Sequence, residues 1–159
     1  MINSKLKTLS GLRRICAALK KRGKKIAFTN GCFDLLHLGH VKYLEDAKKT
    51  ADILIVAINS DASVKRLKGR KRPVVNESDR LKIIAGLESV DYVVKFKLDT
   101  PINVIKAIRP DVLIKGADWD KKSIVGAKFV LGCGGEVKTI PFLPKRSTSN
   151  LIRKIAKRF

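Results

Sequence analysis

The sequence predicts an α/β fold, with one doubly wound parallel sheet of about five strands and helices on both faces. Three observations predict it. Apolar runs of strand length alternate about five times with stretches of helical period, and no hairpin-type turn joins any two runs. The most apolar run, Ile53 to Ile58 (ILIVAI), has no polar alternation. Continuous apolar strands are those buried on both faces, and strict alternation of strand and helix builds parallel sheets through crossovers. At 159 residues the chain is expected to be a single domain, 1–159, with an N-terminal helix in 1–24 and a core in 25–155.

Each element has its own signal. Leu12, Ile15, Cys16 and Leu19 recur at helical spacing, and Gly23 ends that helix. Lys25 to Thr29 reads as a strand, and Val41 to Lys49 as a helix with Val41, Leu44 and Ala47 on one face. After the Ile53 run, Asp61 is placed to cap a short helix. Residues 65–73 (KRLKGRKRP) carry six basic residues, Gly69 and Pro73 without any period, which predicts a loop. Ser78 opens a helix bearing Leu81, Ile84 and Leu87, and Asp91 to Phe96 is the next strand. Thr100-Pro101 reads as an N-cap followed by proline at the first helical position. Asp111 to Lys115 is a strand, and Ile124 to Leu131 a helix ended by the glycines around Cys133. Glu136 to Phe142 is the last strand, and Ser147 begins a terminal helix running to Arg158.

Composition narrows the function. Lys+Arg 35 against Asp+Glu 14 gives a net charge of +21, which attracts nucleic acid or small anions, or is a solvated lysine-rich surface. Aromatics are 6% and no basic stripe interleaves with them, so no stacking platform is read and nucleic acid is not the expected partner. It stays as the alternative of a different class. No apolar run approaches the roughly 20 residues of a membrane span, and no membrane partner is expected. The start, Met1 to Lys5, leads into an amphipathic stretch unlike a signal peptide. Cys16, Cys32 and Cys133 are odd in number, widely spaced and unlike a zinc pattern. They read as reduced thiols filling core or loops, which places the protein in the cytoplasm.

In open α/β sheets ligands sit outside the carboxyl ends of the strands. Four polar segments follow predicted strands and are expected to converge there: Asn30 to Asp34, Asn59-Ser60-Asp61, Lys115 to Trp119, and Arg146 to Ser149. The first leads into His37-Leu38-Gly39-His40 at a helix start. Either these are a turn-forming histidine and a helix cap, or Gly39 admits an anion to which both imidazoles and the backbone donate hydrogen bonds. No third metal ligand accompanies the pair. Ser147, Thr148 and Ser149 after Arg146 are a second anion-ready start, or a plain N-cap. Two such starts on one edge point to several phosphates, hence a nucleoside triphosphate. Neither a Walker lysine motif nor GxGxxG is present. Lys42 is a solvated lysine or a point charge on the reacting phosphate. Lys65, Arg66, Lys68 and Arg72 are a solvated loop or a lid over phosphates.

The segments NGCFDLLHLGHVKYLEDAKK, NSDASVKRLKG, DRLKIIAGLESVDYVV, KGADW and RSTSN, in that order, resemble the HxGH nucleotidyltransferases, the cytidylyltransferase-like superfamily with its Rossmann-like sheet. Class I aminoacyl-tRNA synthetases share the HxGH signature but are much longer and carry a second, lysine-rich signature not evident here. DTPINVIKAIRPDVLIKGADW and IVGAKFVLGCGGEVKTIPF most resemble the D-glycero-β-D-manno-heptose 1-phosphate adenylyltransferases, the ADP-heptose synthases. Glycerol-3-phosphate cytidylyltransferases share GCFDLLH-x-GH and are the same-fold alternative.

The resemblance implies transfer of AMP from ATP to heptose 1-phosphate, giving ADP-heptose and pyrophosphate for lipopolysaccharide core or a related surface glycan. It implies a separate heptose kinase upstream, a homodimer, and Mg²⁺ carried on the ATP phosphates with no direct protein ligand. His37, His40 and Lys42 take the catalytic roles. Asn30, Gly31, Cys32, Phe33, Asp34, Gly39, Lys115, Gly116, Asp118, Arg146, Ser147, Thr148 and Ser149 bind the nucleotide. Asn59, Asp61, Lys65, Lys68 and Arg80 face the sugar phosphate. Three positions keep two readings. Asp34 belongs to the site or bonds backbone N–H groups of the HLGH turn, Trp119 flanks the nucleoside or packs, and Arg80 faces the ligand or makes a surface salt bridge. Relatives usually carry Ser-Thr-Thr where this chain has Ser147-Thr148-Ser149, which keeps a hydroxyl, and Lys145 adds charge before it.

Overall fold

Residues 1–117, 123–141, 143–144 and 146–158 are described by a computed structural model. Among them the strands are β1 (Leu6–Lys7), β2 (Ile26–Gly31), β3 (Ile53–Asn59), β4 (Tyr92–Phe96), β5 (Val112–Gly116) and β6 (Glu136–Ile140). The helices are α1 (Ile2–Lys5), α2 (Leu9–Lys21), α3 (Leu38–Lys48), α4 (Asp61–Lys68), α5 (Glu77–Ala85), α6 (Ile102–Ile108), α7 (Ala127–Gly132) and α8 (Thr148–Arg158). All the strand pairs are parallel, in the order β1-β4-β3-β2-β5-β6.

The sheet has six strands rather than about five. The addition is β1, whose Leu6 and Lys7 lie opposite Val93 and Val94 at the sheet edge. Two residues are too few to show a period, so the first 24 residues read as a helix alone. The apolar run of β3 is buried on both faces as expected. Ile55 and Ala57 face a core with Leu12, Cys16, Val104 and Ile105 from α2 and α6. Leu54, Val56 and Ile58 face Tyr43, Leu44, Ala47 and Ile84 from α3 and α5. Burying each such aliphatic side chain contributes about 1.5–3 kcal/mol, which makes this central strand the anchor of both layers.

Several boundaries move, each for a local reason. The cap of α4 is Ser60, whose hydroxyl accepts from Ser63 N–H, and Asp61 is the first helical residue. The helix then runs through Lys65, Arg66 and Lys68, so the expected loop begins only at Gly69. Asn76 caps α5 through Asp79 N–H, ahead of Ser78. Pro101, not Thr100, precedes the first residue of α6. α7 begins at Ala127, after Gly126 with its φ of 88°. Ser147 caps α8, its hydroxyl accepting from Asn150 N–H at 3.1 Å.

The strand order fixes where a ligand fits. From β2 the chain winds outward through β3 and β4 on one side, and β5 and β6 extend the other side. The order therefore reverses between β2 and β5, the crevice that open α/β sheets use for ligands.

Candidate active site

The segment leaving β2 turns sharply before α3. Phe33 sits at φ 45°, in the left-handed region that costs a non-glycine residue about 1–3 kcal/mol. Its ring lies over Gly31 and 5.5 Å from the ring of His40, so burial of the ring holds the turn. Behind it Thr29 and Tyr43 share a 2.7 Å buried hydrogen bond that pins α3 to β2. His37 is the N-cap of α3 but makes no side-chain cap bond.

Instead, the His37 ring stacks on His40, with centroids 3.9 Å apart and planes at 22°. Gly39 makes this possible: a Cβ there would lie 2.9 Å from His37 Nδ1 and 3.2 Å from Arg146 Cβ. The starts of α3 and α8 thus meet at Gly39. A second tie joins them, the Thr148 hydroxyl donating to the Leu35 carbonyl at 3.1 Å. The expected convergence of the two anion-ready starts is a physical contact.

Protonation follows from this packing. Burial pushes the His40 imidazole down to about 4, with the neighbouring His37 adding to the effect. His37 is lowered too, by burial first and by the Arg146 guanidinium second. Both rings are therefore neutral near pH 7, each with one N–H to donate. Among the described residues the buried side-chain atoms without a hydrogen-bond partner are Asn30 Oδ1, His37 Nδ1 and His40 Nδ1. Leaving such atoms unpaired costs about 1–3 kcal/mol each, and all three sit at the β2–α3 junction.

A buried clamp surrounds this junction. Asp34 accepts from Arg72 Nε at 2.6 Å and from the N–H groups of Val74 and Val75, both at 2.9 Å. Burial alone would push its carboxyl up, but those N–H groups and the guanidinium outweigh burial and hold it low. Asp34 thus bonds backbone N–H groups of the 74–75 segment rather than those of the HLGH turn. Arg80 is 1% exposed, and its ion pair is made from beneath the surface, to the half-exposed Asp61 at 2.7 Å. Its guanidinium donates to the carbonyls of Val75, Cys32 and Asn59 and to Asp61 Oδ1, linking three loops at the C-terminal edge of the sheet. The length of the arginine stem lets it run under the site, so the ion pair read from the sequence forms from a buried guanidinium rather than on the surface.

The remaining candidates are distributed unevenly. Lys115 at the end of β5 reaches the Asn30 carbonyl at 3.4 Å across the crevice, and Gly116 follows it, buried. Asn59 is buried and donates to Ser63 Oγ. Lys65 and Lys68 are exposed on α4, and the charge of Lys68 acts on the half-buried Cys32 thiol, whose pKa burial raises. Lys42 is turned along its own helix to Asp46 and Glu45, at 3.2 and 3.8 Å, rather than toward the histidines. Ser149 is exposed on the first turn of α8, and Arg146 is exposed beside Gly39. Asp118, Trp119 and Lys145 lie outside the described residues. Arg72, Val74 and Val75 went unnoticed as partners of Asp34 because that pairing spans about forty residues and has no local signal.

Comparison with known proteins decides the family. The family model described as cytidylyltransferase-like matches residues 28–153, which contain the whole junction just described. The chain belongs to the cytidylyltransferase-like family. This nucleotidyltransferase is 51% identical over 99% of its length to bifunctional protein HldE of Geobacter metallireducens, and 49% identical to that of Geobacter sulfurreducens. It spans 32% of the length of each of these relatives. A lipopolysaccharide core biosynthesis protein from Thermoplasma volcanium superposes with a TM-score of 0.63 at 30% identity, covering 76% of this chain and 98% of that one. Pantoate-beta-alanine ligase from Francisella tularensis, at 15% identity and a TM-score of 0.59, covers 96% of this chain and 78% of its own and shares the fold.

Proposed function

We propose that this nucleotidyltransferase moves AMP from ATP to D-glycero-β-D-manno-heptose 1-phosphate, releasing pyrophosphate and forming ADP-heptose for a surface glycan such as lipopolysaccharide core. The observation that carries the proposal is the cluster of unpartnered buried polar atoms, His37 Nδ1, His40 Nδ1 and Asn30 Oδ1, beside two converged helix starts. The similarity to HldE and to a lipopolysaccharide core biosynthesis protein supports the choice of sugar.

In this reading an oxygen of the sugar's anomeric phosphate attacks the α-phosphorus of ATP in line. The new P–O bond forms as the α–β bridging P–O bond breaks, and pyrophosphate takes that bonding pair. The nucleophile is already an anion at neutral pH, so no base is required and catalysis rests on positioning and charge stabilisation. Neutral His37 and His40 donate N–H bonds to the α-phosphate oxygens as charge builds there. Arg146 and the first-turn N–H groups of α8 hold the β- and γ-phosphates. Ser147 joins them, because its hydroxyl accepts from Asn150 and keeps its own proton to donate. Thr148 acts through its backbone N–H, its hydroxyl proton being engaged by Leu35. Lys42 swings to the phosphates from an exposed pairing with Asp46, a type of ion pair worth about 0–1 kcal/mol.

Among the described residues no three His, Cys, Asp or Glu side chains stand together to cage a metal, and Asp34 is fully engaged. This donor set fits Mg²⁺ bound by triphosphate oxygens, where it would neutralise charge. A kinase activity would supply the sugar 1-phosphate.

Pyrophosphate release measured with ATP or CTP against heptose 1-phosphate or glycerol 3-phosphate tests the assignment. ATP with heptose 1-phosphate is expected to be the productive pair. Preference for CTP with glycerol 3-phosphate would overturn it in favour of the same-fold alternative. His40→Ala is expected to lower turnover by a factor of roughly 10² or more, the scale of one lost oxyanion-type donor. Near-normal turnover in that variant would remove the histidines from the mechanism.

A further inference from the structure

The sheet splits at the crevice. β2 and β5 pair only through Ala27–Val112 and Phe28–Leu113, whereas β2 stays paired with β3 as far as Gly31 and β5 with β6 as far as Gly116. Asn30 stands on one lip of this split and Lys115 on the other, its ammonium donating across to the Asn30 backbone carbonyl at 3.4 Å. Thr29 turns its hydroxyl to Tyr43 on α3, so Asn30, next along the strand, turns to the opposite face, that of Phe28 and Ala57. The residue is half-buried, and its Oδ1 is buried without a hydrogen-bond partner.

The missing partner has a definite chemistry. An amide oxygen only accepts, and so do the oxygens of an ionised phosphate, so what completes Asn30 Oδ1 carries an O–H or N–H. The rings of His37 and His40, which donate, and Asn30 Oδ1, which cannot, therefore serve different parts of one ligand. We propose that Asn30 Oδ1 accepts a hydrogen bond from a ribose hydroxyl of the nucleotide and so selects ribonucleotides over deoxyribonucleotides. This rests on the reading of the site as that of a nucleoside triphosphate. Ribose is esterified directly to the α-phosphate that the histidines receive. The acceptor sugar lies one phosphate further away, and the base amine lies beyond the ribose. A site built around a substrate hydroxyl rejects the analogue lacking it, because its own polar group is then left unpaired.

The test is binding of ATP, 2′-deoxy-ATP and 3′-deoxy-ATP to the full chain, measured by calorimetry without acceptor, for the native protein, Asn30→Leu and Asn30→Asp. The native protein is expected to bind ATP roughly tenfold more tightly than one of the deoxy analogues, the scale of one hydrogen bond to a buried group. Asn30→Leu is expected to weaken ATP to the level of that analogue while leaving the analogue's own affinity unchanged. Asn30→Asp keeps an acceptor and is expected to keep the ratio between the two nucleotides, whatever its charge does to both. The melting temperature of Asn30→Leu is expected to be no lower than native, since the substitution removes an unpaired buried acceptor. Equal native affinity for all three nucleotides, or an equal loss for all three in Asn30→Leu, would overturn the proposal. So would loss of the ratio in Asn30→Asp, which would make Asn30 a donor through Nδ2. An Asn30→Leu effect confined to KM for the sugar phosphate would also overturn it, putting the acceptor over Asn30. Repeating the comparison with CTP and its deoxy forms separates the two readings. A ribose preference seen there alone would overturn ATP as the substrate and leave the Asn30 contact standing, and binding of neither nucleotide would overturn both.

Discussion

At the residue scale the site depends on Gly39 and the two imidazoles it lets pack. A side chain at 39 would displace the His37 ring or the Arg146 stem, because its first carbon would lie within 3.2 Å of both. Gly39→Ala is therefore expected to lower kcat by tenfold or more with little loss of melting temperature, as a misplacement near 1 Å costs on the order of 10²-fold. An unchanged kcat would show that the junction tolerates the shift. The imidazoles also make stability depend on pH. In the unfolded chain both return toward 6.5, whereas folded His40 stays neutral down to about 4. Between those values the unfolded state binds more protons, so stability rises with pH and falls on acidification. These are the chain's only two histidines, and carboxylates held low, such as Asp34 and Glu77, lose stability only below their own ordinary range. Melting temperature is expected to decline as pH falls from 6.5 toward 4.5, with a shallower slope in His40→Gln. The HLGH quartet was legible because glycine between two histidines at a helix start has few structural uses. The stacking of the rings was not, since sequence spacing does not set ring orientation.

At the element scale the clamp of Asp34, Arg72 and Arg80 holds three loops at the C-terminal edge of the sheet in one arrangement. Asp34→Asn removes a charge that accepts three hydrogen bonds, and a loss of about 2 kcal/mol in unfolding free energy is expected from denaturant titration. Because the clamp fixes the segment beside the proposed sugar-phosphate side, KM for the sugar phosphate should rise more than KM for ATP. An equal rise in both would place the clamp's effect on the whole edge. Arg80→Met strands the Cys32, Asn59 and Val75 carbonyls and is expected to cost about 3 kcal/mol or more. The five longer strands were legible because apolar residues gather in each over strand length between helical stretches, most plainly in the unbroken Ile53 to Ile58 run of β3, whose continuity implies burial on both faces. β1 has only Leu6 and Lys7 and is made a strand by its neighbour β4. The clamp was invisible for a related reason: a buried arginine is read from its partners, and these lie on other elements. One missed signal was present, an aspartate just before three of the strands. Asp52, Asp91 and Asp111 each accept a backbone N–H at the start of a neighbouring strand, from Lys25, Leu54 and Ile26.

Those aspartates matter at the scale of the whole molecule, because they sort its charge. With Glu136 they pair with lysines at the N-terminal edge of the sheet, Asp111 with Lys20, Asp52 with Lys24, Asp91 with Lys48 and Glu136 with Lys25, so the charge there is matched. At the C-terminal edge stand Lys68, Arg72, Lys115 and Arg146, with the buried Arg80 beneath, and the carboxylates among them, Asp34 and Asp61, are already paired. Within a net charge of +21, these cations place positive charge where a polyanionic substrate would enter. Such a field raises the rate of encounter with an anion and destabilises the fold through self-repulsion. Salt acts on both in opposite senses, since the screening length is about 8 Å at physiological ionic strength. Raising sodium chloride from low to physiological strength is expected to lower kcat/KM for ATP while raising the melting temperature. Lys68→Glu, exposed and outside the core, should flatten the salt dependence of kcat/KM, whereas Lys106→Glu on α6 should leave it as it was. Equal effects from both substitutions would mean that net charge, and not its placement at the site's edge, governs the approach of ATP.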